Sequence, residues 1–226
     1  MPAMYGQAFQ SAVARSAEGG QVQARFLRDG AQIMVPWIQA LVFEGRVFGV
    51  HIGSVSTPVA GHAAIDADQP DGAVFFAVTG TSALPLYIRG EMETGATTLA
   101  QGGMMCAVSN INVAAGTSTS ITTSIFNMKM TSVGTSTQAA AAQAYTGNGT
   151  DPLTTGNFLE LARVSAVIDA DAATSGIIPP FLEWSAALCP APVVEDIGSI
   201  LLYGEAAANT LFGRFMWAEL PSTAFN

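Results

Sequence analysis

Charged side chains are scarce in this sequence. Asp, Glu, Lys and Arg make up 11% of the 226 residues, against about 25% in an average globular domain. A monomer that stays dispersed in water normally presents a mixed, charged surface. The chain therefore either buries much of its outer surface in an oligomer or carries a surface of Ser, Thr, Ala and Gly. Both alternatives favour assembly.

Positive charge is the scarcer sign. Eight Lys and Arg stand against seventeen Asp and Glu, the net charge is −9, and Lys129 is the only lysine. The first thirty residues contain no basic run, because Arg15, Arg25 and Arg28 are well separated. Stable binding to a nucleic-acid backbone needs clustered cations that release counterions. We therefore expect no direct nucleic-acid binding.

Cysteine and long apolar stretches are also rare. Cys106 and Cys189 each lie in an apolar run, which favours two buried free thiols over a disulfide. No apolar stretch approaches the roughly 20 residues of a membrane span, and the sequence does not open like a signal peptide. We expect a soluble protein that is made in the cell interior and leaves it by lysis, if at all.

The residues needed for catalysis are few. Only His51 and His62 are histidines, no Gly-x-Ser-x-Gly elbow occurs, and neither cysteine has the context of a nucleophile. His51 lies in an apolar run, where a hydrogen-bonded strand histidine is the usual case. We therefore expect no catalytic site and no enzyme activity. A hydrolase on a β-sandwich is the weakest of the alternatives.

Short runs rich in Val, Ile, Thr and aromatic residues dominate the rest of the sequence, and turn pairs such as Asp71-Gly72 separate them. No sustained helical pattern lies between them, which predicts an all-β fold, an antiparallel β-sandwich of jelly-roll type. Trp184 and Trp217 fall inside such runs and are predicted to be core. The predicted strands are 32–43, 46–55, 73–79, 84–93, 104–113, 120–130, 158–168, 181–188, 200–207 and 211–220.

The predicted domain organisation is simple. Residues 1–30 form an N-terminal arm or short helix, and residues 31–226 form the sandwich with an insertion loop at about 134–156. The arm either orders on a neighbouring subunit or is a frayed terminus. The insertion, with a possible helix at 138–145, is either an intersubunit contact or a solvated loop.

One acidic cluster suggests a metal site. Asp66, Asp68 and Asp71 lie close together after a strand-like run, and calcium binds through carboxylate and carbonyl oxygens. The spacing departs from the EF-hand loop, and a second Asp-x-Asp occurs at Asp169 and Asp171. The alternatives are a calcium site at the first cluster and polar residues that end strands at the sandwich rim.

The C-terminal third carries a family resemblance. The runs IPPFLEW (178–184), IGSILLYGEA (197–206) and GRFMWAELP (213–221) are similar to the closing strands of viral jelly-roll capsid proteins, the single jelly-roll shell subunits of icosahedral viruses. With the order of the preceding runs, the resemblance covers about three quarters of the chain. It implies two four-stranded antiparallel sheets, tiled into an icosahedral shell. The chain departs from many such proteins because it has no basic N-terminal arm.

These observations lead to two hypotheses of function. The first is a structural virion protein, a capsid shell subunit that assembles with copies of itself and with other virion proteins, without binding the genome strongly. An internal viral membrane could lie beneath such a shell. The second is a phage tail, fibre or adhesin-type sandwich that binds a glycan or protein through loops near 66–71 and 147–151.

Overall fold

A computed structural model shows the protein to be mostly antiparallel β-sheet with one short helix. It describes residues 36–61, 70–76, 79–94, 100–108, 119–129, 142–146, 157–166, 181–195, 197–204 and 210–222. The elements are helix α1 (Trp37–Phe43), 3-10 helix η1 (Thr122–Ser124) and strands β1 (Val47–Ile52), β2 (Val59–Ala60), β3 (Gly72–Phe76), β4 (Thr81–Thr94), β5 (Ala100–Val108), β6 (Thr119–Ser120), β7 (Phe126–Asn127), β8 (Ala142–Thr146), β9 (Asn157–Ala166), β10 (Phe181–Ser185), β11 (Val194–Glu195), β12 (Gly198–Gly204) and β13 (Thr210–Pro221). Within these ranges, no helix has the length and apolar character that crossing a membrane requires.

The strands form two sheets. The seven-stranded sheet has the order β10-β4-β13-β1-β7, with β11 also paired to β4 and β2 to β13. The six-stranded sheet has the order β6-β8-β3-β12-β5-β9. Neighbouring strands are antiparallel throughout both sheets.

The core lies between the two sheets. Phe215 and Trp217 of β13 and Val74 and Phe76 of β3 belong to one buried apolar cluster. The rings of Phe76 and Trp217, one from each sheet, meet edge to face with centroids 6.0 Å apart. Because the inner faces of both sheets supply this cluster, the fold is a sandwich. The burial predicted for Trp184 and Trp217 is confirmed.

Eight of the ten predicted strand runs each overlap one described strand of five or more residues, namely β1, β3, β4, β5, β9, β10, β12 and β13. The all-β class is thus confirmed. In β13, the residues along Leu211–Trp217 alternate between the buried inner face and the partly exposed outer face. The predicted arm, 1–30, lies outside the described residues.

The strand predicted at 32–43 is wrong in its described part, because residues Trp37–Phe43 form α1. Gly45, at φ +73°, ends this helix: its N–H donates to the Val42 carbonyl, and that of Arg46 donates to the Leu41 carbonyl. Both bonds are those of a Schellman motif. The Glu44-Gly45 pair, which lies between the predicted strand runs 32–43 and 46–55, therefore caps a helix.

The strand predicted at 120–130 is also wrong. The segment pairs with the six-stranded sheet through β6 and with the seven-stranded sheet through β7, and η1 lies between the two. Ile125 is fully buried at this crossing. The segment therefore connects the two sheets and is not one continuous strand.

The helix predicted at 138–145 is wrong where the structure describes it. Ala142–Thr146 is strand β8, which pairs with β3 along its whole length. Ala and Gln favour helices in isolation, but pairing with a buried strand overrides that preference here. Ala142 and Ala144 are buried against the core.

Candidate functional site

The outer face of the seven-stranded sheet, turned away from the other sheet, has a covered half and an open half. Helix α1 covers one half, where a second buried cluster contains Leu41, Val47, Leu84, Leu86, Ala218 and Leu220. The register of β4 against β13 shifts between Met216 and Trp217. Beyond this β-bulge, the outward-pointing residues of β4 are polar and partly exposed.

A row of ionisable side chains crosses the open half. Glu183 of β10 is opposite Arg89 of β4, Arg89 is opposite Arg214 of β13, and Arg214 is opposite His51 of β1. Side chains directly opposite each other in an antiparallel pair lie on the same face, about 5 Å apart at Cβ. The row therefore brings two of the eight cationic residues of the chain next to each other and next to an imidazole.

Two aromatic rings beside this row lie over glycines. A Cβ on Gly49 would come within 2.9 Å of the Phe126 ring, and a Cβ on Gly53 within 3.0 Å of the Phe212 ring. The missing side chains let both rings lie close to the sheet. Phe126 stacks on His51, with centroids 5.6 Å apart and an interplanar angle of 20°.

Arg89 is held by its neighbours on β4. It forms an ion pair with Glu91, and a hydrogen bond with Tyr87 raises the pKa of the guanidinium, with Glu91 adding to the effect. Tyr87, Arg89 and Glu91 occupy alternate positions of the strand, so all three point outward. The charge of Arg89 is thus balanced within its own strand.

His51 responds to a different neighbour. Partial burial lowers the pKa of its imidazole, and the positive charge of Arg214 lowers it further. Because the ordinary value is 6.5, the ring is neutral at pH 7. It can therefore donate one hydrogen bond and accept another.

Together these residues line a groove of about 220 Å³, made by His51, Tyr87, Arg89, Glu91, Phe212, Gly213 and Arg214. It offers guanidinium donors, aromatic surface, one imidazole and one carboxylate. Its lining includes no serine, cysteine, threonine or lysine. The arrangement is suited to binding a small polar group, with ring surface beside the charged donors.

The residues predicted for a cation site are only partly visible. Asp66 and Asp68 lie outside the described residues, as does His62. Asp71 is fully buried, and its Oδ2 accepts a hydrogen bond of 2.5 Å from the N–H of Gly204. Within the described ranges, no three His, Cys, Asp or Glu side chains are grouped as metal ligands would be. A calcium site at the Asp66–Asp68–Asp71 cluster stays a prediction.

The cysteine prediction is wrong for Cys189. This residue is a free thiol, but it is exposed. It lies in the turn that follows β10, where its N–H donates to the Ser185 carbonyl. An apolar run in sequence here continues past the end of its strand into a surface turn.

Sequence reasoning did not single out Arg89, Glu91 or Arg214. Residues 84–93 are a predicted strand, and alternate residues of a strand such as Tyr87, Arg89 and Glu91 share a face. The pairing of Arg89 with Arg214 could not be found this way. It depends on the register between strands that are far apart in the chain.

No known protein family matches this sequence, and no curated protein is similar enough in sequence to count as a relative.

Proposed function

We propose that this protein is a capsid shell subunit, a jelly roll that assembles with copies of itself and with other virion proteins. Its location would be the virion. The observation that carries the proposal is the order in which the strands pair.

The eight strands that overlap the predicted runs pair first with last, and so on toward the middle of the chain. Taken in chain order, they are β1, β3, β4, β5, β9, β10, β12 and β13. The first pairs with the eighth, the second with the seventh, the third with the sixth and the fourth with the fifth. Successive pairs alternate between the seven-stranded and six-stranded sheets. This order arises when a long antiparallel ribbon wraps into a sandwich, and it is the order expected of a jelly roll. Viral capsid proteins are among the proteins that use the jelly-roll fold.

The surface supports an assembling subunit. Large apolar side chains are exposed on α1, where Trp37 is 50% and Phe43 is 54% accessible, and in the turn after β10, where Leu188 is 85% accessible. Neither α1 nor the segment 186–193 contains a charged residue. Copies that each carry a net charge of −9 repel one another least where they meet through such uncharged surface.

The negative net charge of the chain also indicates that another component of the virion neutralises the genome. Three of the described cationic side chains, Arg46, Arg89 and Arg163, are in ion pairs with Glu44, Glu91 and Glu160. Neutralising a phosphate backbone requires many free Lys and Arg in one patch. We therefore propose a shell role without strong genome binding.

Negative-stain electron microscopy of the concentrated recombinant protein, with mass from light scattering, tests this function. Closed particles or regular rings of subunits would support it. A monomer that persists at high concentration and across salt and pH would contradict it.

The groove on the seven-stranded sheet favours a second candidate, a phage tail, fibre or adhesin-type sandwich that binds a glycan or protein. Light scattering also separates this candidate from the first, because it predicts a small oligomer or monomer. Retention on a glycan array would then support it, and an array without retention would count against it.

A further inference from the structure

Two arginines directly opposite each other are an unfavourable arrangement. Like charges at such positions destabilise a sheet, yet Arg89 and Arg214 are paired in this way in a chain with only eight Lys and Arg. Violations of ordinary sequence–structure rules concentrate at functional sites. The pair therefore indicates a ligand that offsets the repulsion.

The residues that line the groove carry one excess positive charge, and Glu183, opposite Arg89, lies outside this lining. Glu91 balances Arg89, whereas Arg214 takes part in no ion pair within the described part of the chain. His51 is neutral at pH 7, for the reasons given above. An excess of one charge fits a monoanion, and Glu91 in the lining would repel a dianion such as a phosphate monoester.

We propose that this groove binds one carboxylate group through the guanidinium of Arg214. The planar guanidinium matches a carboxylate with two parallel hydrogen bonds. Phe212 and Tyr87 supply ring surface for the body that carries the carboxylate. Either a small acid, such as an acidic sugar, or an acidic side chain of another copy can provide this group. The site does not depend on the shell proposal.

Binding of a carboxylate can be followed through the pKa of His51, whether the protein is a monomer or a large assembly. Hydrogen–deuterium exchange at the imidazole C2 position, read by mass spectrometry, reports the pKa of each histidine separately. A carboxylate on Arg214 adds negative charge beside His51 and raises its pKa. The charged and titratable groups near this ring on the described face are Arg214, Arg89, Glu91, Tyr87 and Glu183. These groups are present with and without the added anion, so a change in the pKa of His51 on its addition reports the anion.

The experiment titrates the full chain with sodium acetate, glucuronate and glucose. We expect acetate and glucuronate to raise the pKa of His51 and glucose to leave it unchanged. In Arg214→Gln, the affinity for acetate measured by calorimetry should fall about ten- to a hundredfold, as expected for loss of a hydrogen bond to a charged group. Arg163→Gln removes an exposed arginine of the other sheet, and this control should bind like the wild type.

Sedimentation velocity separates the two sources of the carboxylate. If a neighbouring copy provides it, both Arg214→Gln and added glucuronate should reduce assembly. If a small acid is the ligand, assembly should be unchanged by either. The proposal is overturned if acetate and glucuronate leave the pKa of His51 unchanged, or raise it equally in wild type and Arg214→Gln.

Discussion

At the scale of single residues, this protein places its few charges in specific environments. Arg214 lowers the pKa of His51, and Glu91 balances Arg89 within the same strand. Asp71 is buried and hydrogen-bonded to the backbone of β12. Each of these contacts can be tested with one substitution.

Arg214→Gln should raise the pKa of His51 in the absence of any ligand. A nearby positive charge disfavours the imidazolium, so removing that charge makes protonation easier. Partial burial, the larger cause of the lowered value, remains in the variant, so the rise should be partial. Exchange at the imidazole C2 measures it, with Arg163→Gln as the control. An unchanged value in Arg214→Gln would show that the two side chains do not interact in solution.

Asp71→Ala should lower the free energy of unfolding by about 2 kcal/mol, the usual effect of leaving a buried donor without its acceptor. The donor here is the N–H of Gly204. Asp71→Asn keeps an acceptor oxygen and should be less destabilising. Urea denaturation measures both variants. A loss under about 0.5 kcal/mol for Asp71→Ala would contradict a structural role for this hydrogen bond.

At the scale of elements, α1 shows how tertiary contacts choose between two patterns. In a strand over 37–43, Gln39 and Leu41 would share a face. In the helix, Leu41 is buried against the sheet, with Ile38 and Val42 packed beside it, and Gln39 is exposed. The helix therefore predicts that substitution of Leu41 lowers the free energy of unfolding much more than substitution of Gln39.

Leu41→Ala should destabilise the protein by about 2–4 kcal/mol, because it removes a buried side chain and leaves a cavity. Gln39→Ala should change the free energy of unfolding by less than about 0.5 kcal/mol, as expected at an exposed position. Thermal or urea unfolding of the two variants is the measurement. Equal losses at both positions would favour the strand over the helix.

At the scale of the whole molecule, the low content of charged residues and the exposed apolar surface together favour self-association. The chain is 11% charged with a net charge of −9, and its exposed apolar side chains include two on α1. Exposed apolar surface free of charge is typical of protein–protein contacts. We therefore expect α1 to contribute to contacts between subunits.

The double variant Trp37→Ser and Phe43→Ser should weaken self-association without unfolding the subunit, since both side chains are about half exposed in the isolated chain. Gln39→Ser is the matched control on the same helix. Light scattering across a concentration series measures association, and circular dichroism checks the fold. Assembly of the double variant at wild-type concentrations would exclude α1 from the subunit contacts.

The sequence by itself determined the fold class and most of the strands. In β13, alternation between Leu211, Phe215 and Trp217 on one side and Phe212 and Arg214 on the other is a local property, because successive side chains of a strand point to opposite faces. The same local rule placed Tyr87, Arg89 and Glu91 on one face of β4.

Only the tertiary structure decided which elements the ambiguous segments form and where the groove lies. Ala142–Thr146 is a strand because β3 offers it a partner, and Trp37–Phe43 is a helix because the outer sheet face can bury Leu41. The groove exists because register sets Arg89 against Arg214 and His51. Register between distant strands is fixed by packing of the whole core, and no local stretch of sequence carries that information.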